Sequence, residues 1–146
     1  MSLDTIVRVM GGEDNIGRNI KSPLDFIKAS REGKISVRIV KVIQDRAHLT
    51  NYRMARILNV SETTLQRIKK MQDSNLGEAE SDAVYDVSKV IAKGIEVFEN
   101  EDDFNEWLNT RNTALGNERP VDLLHSSIGR EQIINVLNAL AHGIYS

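Results

Sequence analysis

The stretch from Thr50 to Lys70 constrains this chain most, because its residue types leave little choice of local structure. Thr50 can accept a hydrogen bond from the first turn of a helix Asn51–Leu58, whose Met54, Ala55, Ile57 and Leu58 face inward. Asn59 tolerates the left-handed backbone of a tight reversal. Val60 is the apolar residue of that turn, and Ser61 caps a second helix, Glu62–Lys70, with Leu65 and Ile68 inward. The small Ala55 lets the second helix cross close over the first. Two short helices joined in this way form a helix–turn–helix, whose second helix fits the DNA major groove.

The outward side chains suit that use. Glu62, Thr63, Gln66, Arg67 and Lys70 face away from the apolar anchors, and amide and guanidinium groups can pair bidentately with adenine and guanine edges. Arg53, Arg56 and Lys69 can meet phosphates, as can the helix start at Thr50-Asn51. The expected DNA-binding set is Thr50, Asn51, Arg53, Arg56, Ser61, Thr63, Thr64, Gln66, Arg67, Lys69 and Lys70.

Charge is segregated in the same sense. Residues 28–70 carry eleven basic and three acidic side chains, net +8, whereas residues 71–146 carry five basic and fourteen acidic, net −9. A basic block implies a polyanionic partner; the acidic block repels that partner and is left for another one.

Around this centre the pattern is helical. Residues 1–21, punctuated by Gly11-Gly12 and Gly17, read as a short helix or a flexible arm. Ser22-Pro23 is an N-cap followed by an N1 proline, opening a helix to Glu32 that Gly33 ends. The β-branched run Ile35–Ile43 fits a strand by partial alternation. A helix Val37–Ala47 is preferred, since its apolar pattern continues through Ala47 and Leu49 and a lone strand has no partner. Gln72–Ser81 reads as a linker, with Ser81 capping a long helix to Phe98 along the stripe Val84, Val87, Ile91, Ile95 and Phe98. Asn100–Asp103 breaks it, and the acidic run there caps the next helix, which carries Phe104, Trp107 and Leu108 to about Asn112. Ala114–Pro120 is a loop, Pro120–Leu124 one turn, and Ser126 or Ser127 starts a last helix striped by Ile133, Val136, Leu137, Leu140 and Ala141, ending at His142-Gly143.

At 146 residues the chain suits one domain or two small ones sharing a core. The expected fold is all-α: an N-terminal helical and dimerisation segment over 1–49, a helix–turn–helix over 50–71 and a C-terminal helical domain over 78–146. The Pro23–Glu32 helix and the Val84–Phe98 stripe offer apolar surface beyond one small core, so at least a homodimer is expected.

Other chemistries fail on spacing. The absence of cysteine removes disulfides, thiolate zinc sites and thiol nucleophiles, and fits a reducing compartment. Gly12-x-x-x-x-Gly17 is followed by Arg18-Asn19 rather than Lys-Ser/Thr, so it is not a phosphate loop. His48, His125 and His142 lie far apart, and the acidic run lacks a calcium-loop spacing. No apolar run approaches the ~18–20 residues of a membrane span. Met1-Ser2-Leu3-Asp4 lacks a signal peptide's basic start. A cytoplasmic protein without enzymatic activity, cofactor, metal or membrane partner is expected.

The second half carries a more specific resemblance. Phe104-x-x-Trp107-Leu108, Asn112-x-Ala114-Leu115-Gly116, Arg119-Pro120-Val121-Asp122-Leu123-Leu124, Gly129 and the ending His142-Gly143-Ile144-Tyr145-Ser146 follow one another as in the C-terminal domain of the Xre/MbcA/ParS-type antitoxins. Upstream, Gly11-Gly12, Ser22-x-x-Asp25, Arg31-Glu32-Gly33 and Thr64-Leu65-Gln66-Arg67 resemble the same family; Asn59, where glycine is frequent, and Glu62, facing the groove, depart from it. The resemblance implies an antitoxin that covers the active site of a cognate RES-domain toxin, an NAD-degrading enzyme. It also implies binding to operator double-stranded DNA to repress its own operon, within a higher toxin–antitoxin complex. The toxin-binding set it implies is Leu137, Leu140, His142, Gly143, Ile144, Tyr145 and Ser146. From the residues alone, that tail can either plug a pocket or fold back on its own helix. Apart from the resemblance, a stand-alone transcriptional regulator with a dimerising C-terminal half, or a DNA-organising protein of weak sequence preference, fits the same features.

Overall fold

Side-chain caps set most of the helix starts. Ser2, Ser22, Thr50, Ser61, Asn100 and Ser126 each accept a first-turn backbone N–H on the side-chain oxygen, and a helix begins after each. The structure is a computed structural model that describes residues 2–143. Its helices are α1 (Leu3–Val9), α2 (Gly12–Ile16), α3 (Pro23–Arg31), α4 (Arg38–Arg46), α5 (Asn51–Leu58), α6 (Glu62–Lys70), α7 (Glu78–Phe98), α8 (Glu101–Leu108) and α9 (Ser127–Ala141). Short 3-10 turns cover Thr113–Leu115 and Pro120–Leu123.

The central element is α7. Its Val84, Val87, Val90, Ile91 and Ala92 are buried, and α1, α3, α4, α5, α8 and α9 pack around it. The apolar stripe expected to help form a dimer is therefore consumed by the chain's own core. Of the two readings open for residues 1–21, the helical one holds: Ile6, Val9, Met10 and Ile16 are buried, and α1 lies against α7. The ambiguous β-branched run is helical as preferred, with Ile39, Val40 and Ile43 buried on one face of α4.

Two close approaches depend on glycine. A Cβ at Gly94 of α7 would overlap the ring of Phe104 of α8, and one at Gly129 of α9 would overlap the Leu123 carbonyl. These contacts seat α8 and the Pro120–Leu123 turn on the two longest helices. Phe98, Phe104 and Trp107 form an aromatic cluster there, with ring centroids 5.7–6.3 Å apart.

Two boundaries differ from expectation. The long helix starts at Glu78, after Gly77 as its N-cap, because Glu78 and Glu80 complement the helix dipole; Ser81 lies inside the helix, fully buried. The preceding residues are also tied into the fold: Val37 N–H donates to Ser74 O, Leu76 N–H to Ile35 O, and Leu76 is buried. The helix bearing Trp107 stops at Leu108 rather than near Asn112, because Asn112 caps the next 3-10 turn, taking the Ala114 N–H at 2.8 Å.

Candidate functional site

The helix–turn–helix forms as its residue types require. Asn59 sits in the left-handed region (φ 57, ψ 45), Val60 N–H closes on Ala55 O at 3.0 Å, and Leu65 is fully buried. On α6, Glu62, Thr63, Gln66, Arg67 and Lys70 are exposed, and among the described residues the side chains of Gln66, Arg67 and Lys70 have no intramolecular partner. Arg56 is exposed and stacks over the Tyr52 ring at 5.7 Å. Thr50 and Ser61 cap their helices, and Thr64 is half-buried with its hydroxyl 3.0 Å from that of Ser61.

Three expected phosphate contacts are already occupied within the chain. Lys69 donates from Nζ to Gln44 Oε1 and Asn51 Oδ1, both at 3.0 Å, and Gln44 Nε2 donates to Asn51 Oδ1 at 2.9 Å and Leu49 O at 3.0 Å. Gln44 is buried in α4, so its amide needs internal partners, and Asn51 and Lys69 supply them. This network locks α4, α5 and α6 together, which makes Lys69 and Asn51 positioning residues. Arg53 pairs from Nη2 with Asp122 Oδ1 at 2.6 Å, an ion pair between α5 and the Pro120–Leu123 turn. In sequence Gln44 is a polar residue beside the apolar face of α4 and Asp122 part of the Arg119–Leu124 motif, and nothing there marks either as a partner of Lys69 or Arg53.

A second ionic tie runs parallel to the first. Arg46 of α4 pairs with Glu101 of α8 at 3.3 Å, and buried Asn105 donates to the carbonyls of Arg46 and Glu101 at 2.8 and 3.0 Å. Buried Arg130 of α9 is held by Asp86 of α7 at 2.5 Å and by Leu124 O at 2.7 Å. The acidic half is thus pinned by arginines from α4, α5 and α9.

The expected toxin-binding set lies on and after α9. Leu137 is fully buried, so it anchors the helix and does not face a partner; Leu140 is half-buried and His142 and Gly143 are exposed. Gly143 takes the left-handed backbone (φ 69) expected of a helix stop. Ile144, Tyr145 and Ser146 lie outside the described residues. On another side, Leu24 and Ile27 of α3 are 68% and 40% exposed, Ile27 lines a groove with Phe26 and Tyr85, and Ile128 of α9 is 73% exposed. Among the described residues, no group of three or more His, Asp or Glu side chains converges as a metal site, and no helix is long and apolar enough to cross a membrane.

A capped two-helix reader with a basic outer face, joined through a shared long helix to an acidic helical module, defines a DNA-binding regulator with a separate interaction domain. Residues 27–86 match the antitoxin Xre-like helix-turn-helix domain, and residues 93–143 match the antitoxin Xre/MbcA/ParS C-terminal toxin-binding domain. The chain belongs to this antitoxin family, a regulatory family and not one of enzymes. No curated protein matches it.

Proposed function

We propose that this antitoxin neutralises a RES-domain, NAD-degrading toxin by covering its active site, and that as a homodimer it binds operator DNA to repress its own operon. The observation that carries the first part is the toxin-binding domain matched at 93–143, which ends at an exposed helix stop, His142-Gly143. The acidic charge of residues 71–146 complements the electropositive surface that a site for a dinucleotide needs. In this reading Leu140, His142 and Gly143 lie at the contact, and residues 144–146 enter the toxin's cleft, with Tyr145 adding ring area and a hydroxyl.

On the DNA side, Gln66 and Arg67 read base edges, while Arg56, Lys70 and the capped starts at Thr50 and Ser61 hold phosphates. The second copy needed to read two half-sites docks on the exposed Leu24–Ile27 face of α3. In this reading the protein works in the cytoplasm, where its DNA target lies.

The test is co-expression with the neighbouring reading frame. Intact antitoxin is expected to preserve growth and cellular NAD. A chain lacking residues 143–146 is expected to remain soluble and bind the operator while leaving NAD to fall. Full protection by that shortened chain refutes occlusion by the tail.

A further inference from the structure

Just beyond the reading helix the chain builds a polar cleft with a basic wall. The segment leaving α6 turns back along residues 34–38, and the cleft of about 400 Å³ between them is lined by Arg18, Lys34 and Arg38 on one side and Gln72 and Asp73 on the other. Its walls are fixed by backbone bonds: Val37 N–H to Ser74 O at 3.1 Å, Leu76 N–H to Ile35 O at 2.7 Å and Ser36 N–H to Ile16 O at 3.0 Å. Arg38 is held from behind by Asp14 O at 2.7 Å, and among the described residues its buried Nε has no acceptor. Lys34 is half-exposed, so its ammonium can turn to a ligand.

The local field is positive in spite of two acids. Glu32 stands beside the cleft, 3.1 Å from Lys34 and 3.8 Å from Arg18. Its carboxyl is held below the usual carboxylate range, first by the bond to and charge of Lys34 and then by Arg18 and Lys28. Three cations, Arg18, Lys34 and Arg38, against Asp73 inside the cleft and Glu32 beside it leave a net of one positive charge for a singly charged anion. Position supplies the identity of that anion. Gln72 Nε2 donates to Lys69 O at 2.6 Å, so the cleft adjoins the C-terminal end of α6, the end at which the homeodomain variant of this motif contacts the DNA backbone.

We propose that this cleft binds a backbone phosphodiester of the duplex beside the bases read by α6. The proposal rests on the DNA-binding reading above and extends the interface to residues outside the helix–turn–helix. Lys34 and Arg18 are the phosphate ligands, Arg38 is the fixed wall, and Asp73 limits affinity by repulsion.

The test uses the full chain and a labelled duplex carrying its own promoter, with anisotropy titrations across a series of salt concentrations. Lys34→Gln is expected to weaken binding to every duplex sequence and to make the slope of log K against log salt shallower by up to about 0.9, the full value applying where the phosphate displaces Glu32 from the ammonium. Between roughly 50 and 200 mM salt, wild type then loses up to about threefold more affinity than the variant. Arg18→Gln should act in the same direction and Asp73→Asn in the opposite one. Lys41→Gln, an exposed lysine of the same basic block outside the cleft, should move the slope far less. Urea melts of each variant establish that the fold is retained. If wild type binds and responds to Arg67→Ala, but Lys34→Gln matches Lys41→Gln, the cleft assignment is wrong and the helix–turn–helix reading stands. If wild type binds no duplex, both fall. A melting shift with inorganic phosphate that Lys34→Gln abolishes, with no change in the DNA slope, makes the cleft a site for free phosphate and overturns the proposal.

Discussion

The ion pair between Arg53 and Asp122 sets a measurable limit on DNA affinity. Arg53 lies in the first turn of α5, where a phosphate contact is expected, yet its guanidinium is held at 2.6 Å by a carboxylate of the toxin-binding domain. Both side chains are about one-third exposed (33% and 36%), so solvent screens the pair and its contribution to stability is about 1 kcal/mol or less. A duplex phosphate must therefore compete with Asp122 for Arg53. Asp122→Asn is expected to release the arginine, tighten binding to all duplexes and steepen the salt slope by about 0.9, the value for one added phosphate contact. Loss of a negative charge also raises affinity through the long-range field, so the decisive measurement is a double-mutant cycle. Arg53→Gln alone should change little, and Asp122→Asn added to Arg53→Gln should leave the slope unchanged. The assay is anisotropy against salt for the four chains, with urea unfolding in parallel. If Arg53→Gln alone makes the slope shallower by a full contact while Asp122→Asn has no effect, Arg53 reaches DNA in spite of its partner and the competition argument fails.

Arg67→Ala should cost about 1–3 kcal/mol on the preferred operator and flatten sequence preference, read by binding to operator and scrambled duplexes. Gly94→Ala places a methyl group against the Phe104 ring and should lower unfolding free energy by about 1–3 kcal/mol in urea melts, with operator binding retained below the transition. Ile27→Glu puts a charge on the exposed face of α3 and should shift sedimentation toward monomer while leaving the monomer's stability close to wild type; an unchanged dimer places the interface elsewhere.

The helices are legible in the sequence because their signals are local. Ser22-Pro23, Thr50, Ser61 and Ser126 each act within a single turn, and the alternation of buried and exposed positions in α5, α6 and α9 follows from spacing alone. Ser81 misleads for the same reason: a serine before an apolar stripe reads as a cap, whereas here it packs inside α7 behind the acidic start at Glu78 and Glu80. The interface is legible only in part. Gln66, Arg67 and Lys70 are exposed because of their register on α6, which spacing fixes. Lys69 and Arg53 flank the buried faces of their helices and are half-buried, and their partners Gln44 and Asp122 lie 25 and 69 residues away. With nineteen basic and twenty-one acidic side chains in the chain, no local pattern selects those partners; packing does.

That packing also determines how far the two matched regions can act apart. The interval between residues 86 and 93 lies inside α7, and Val87, Val90 and Ile91 within it are 1% exposed or less. A chain cut there would uncover them at about 1.5–3 kcal/mol each, a large part of a typical domain's stability of about 5–15 kcal/mol. It would also leave Arg46 and Arg53 without Glu101 and Asp122. Weaker toxin binding or altered DNA binding by such a fragment would therefore report a damaged core as much as a missing module. Point changes at Asp122 and Glu101 leave α7 whole and alter only the ionic ties between the halves. Those two carboxylates are therefore the places to test communication between toxin and operator while the shared core stays intact.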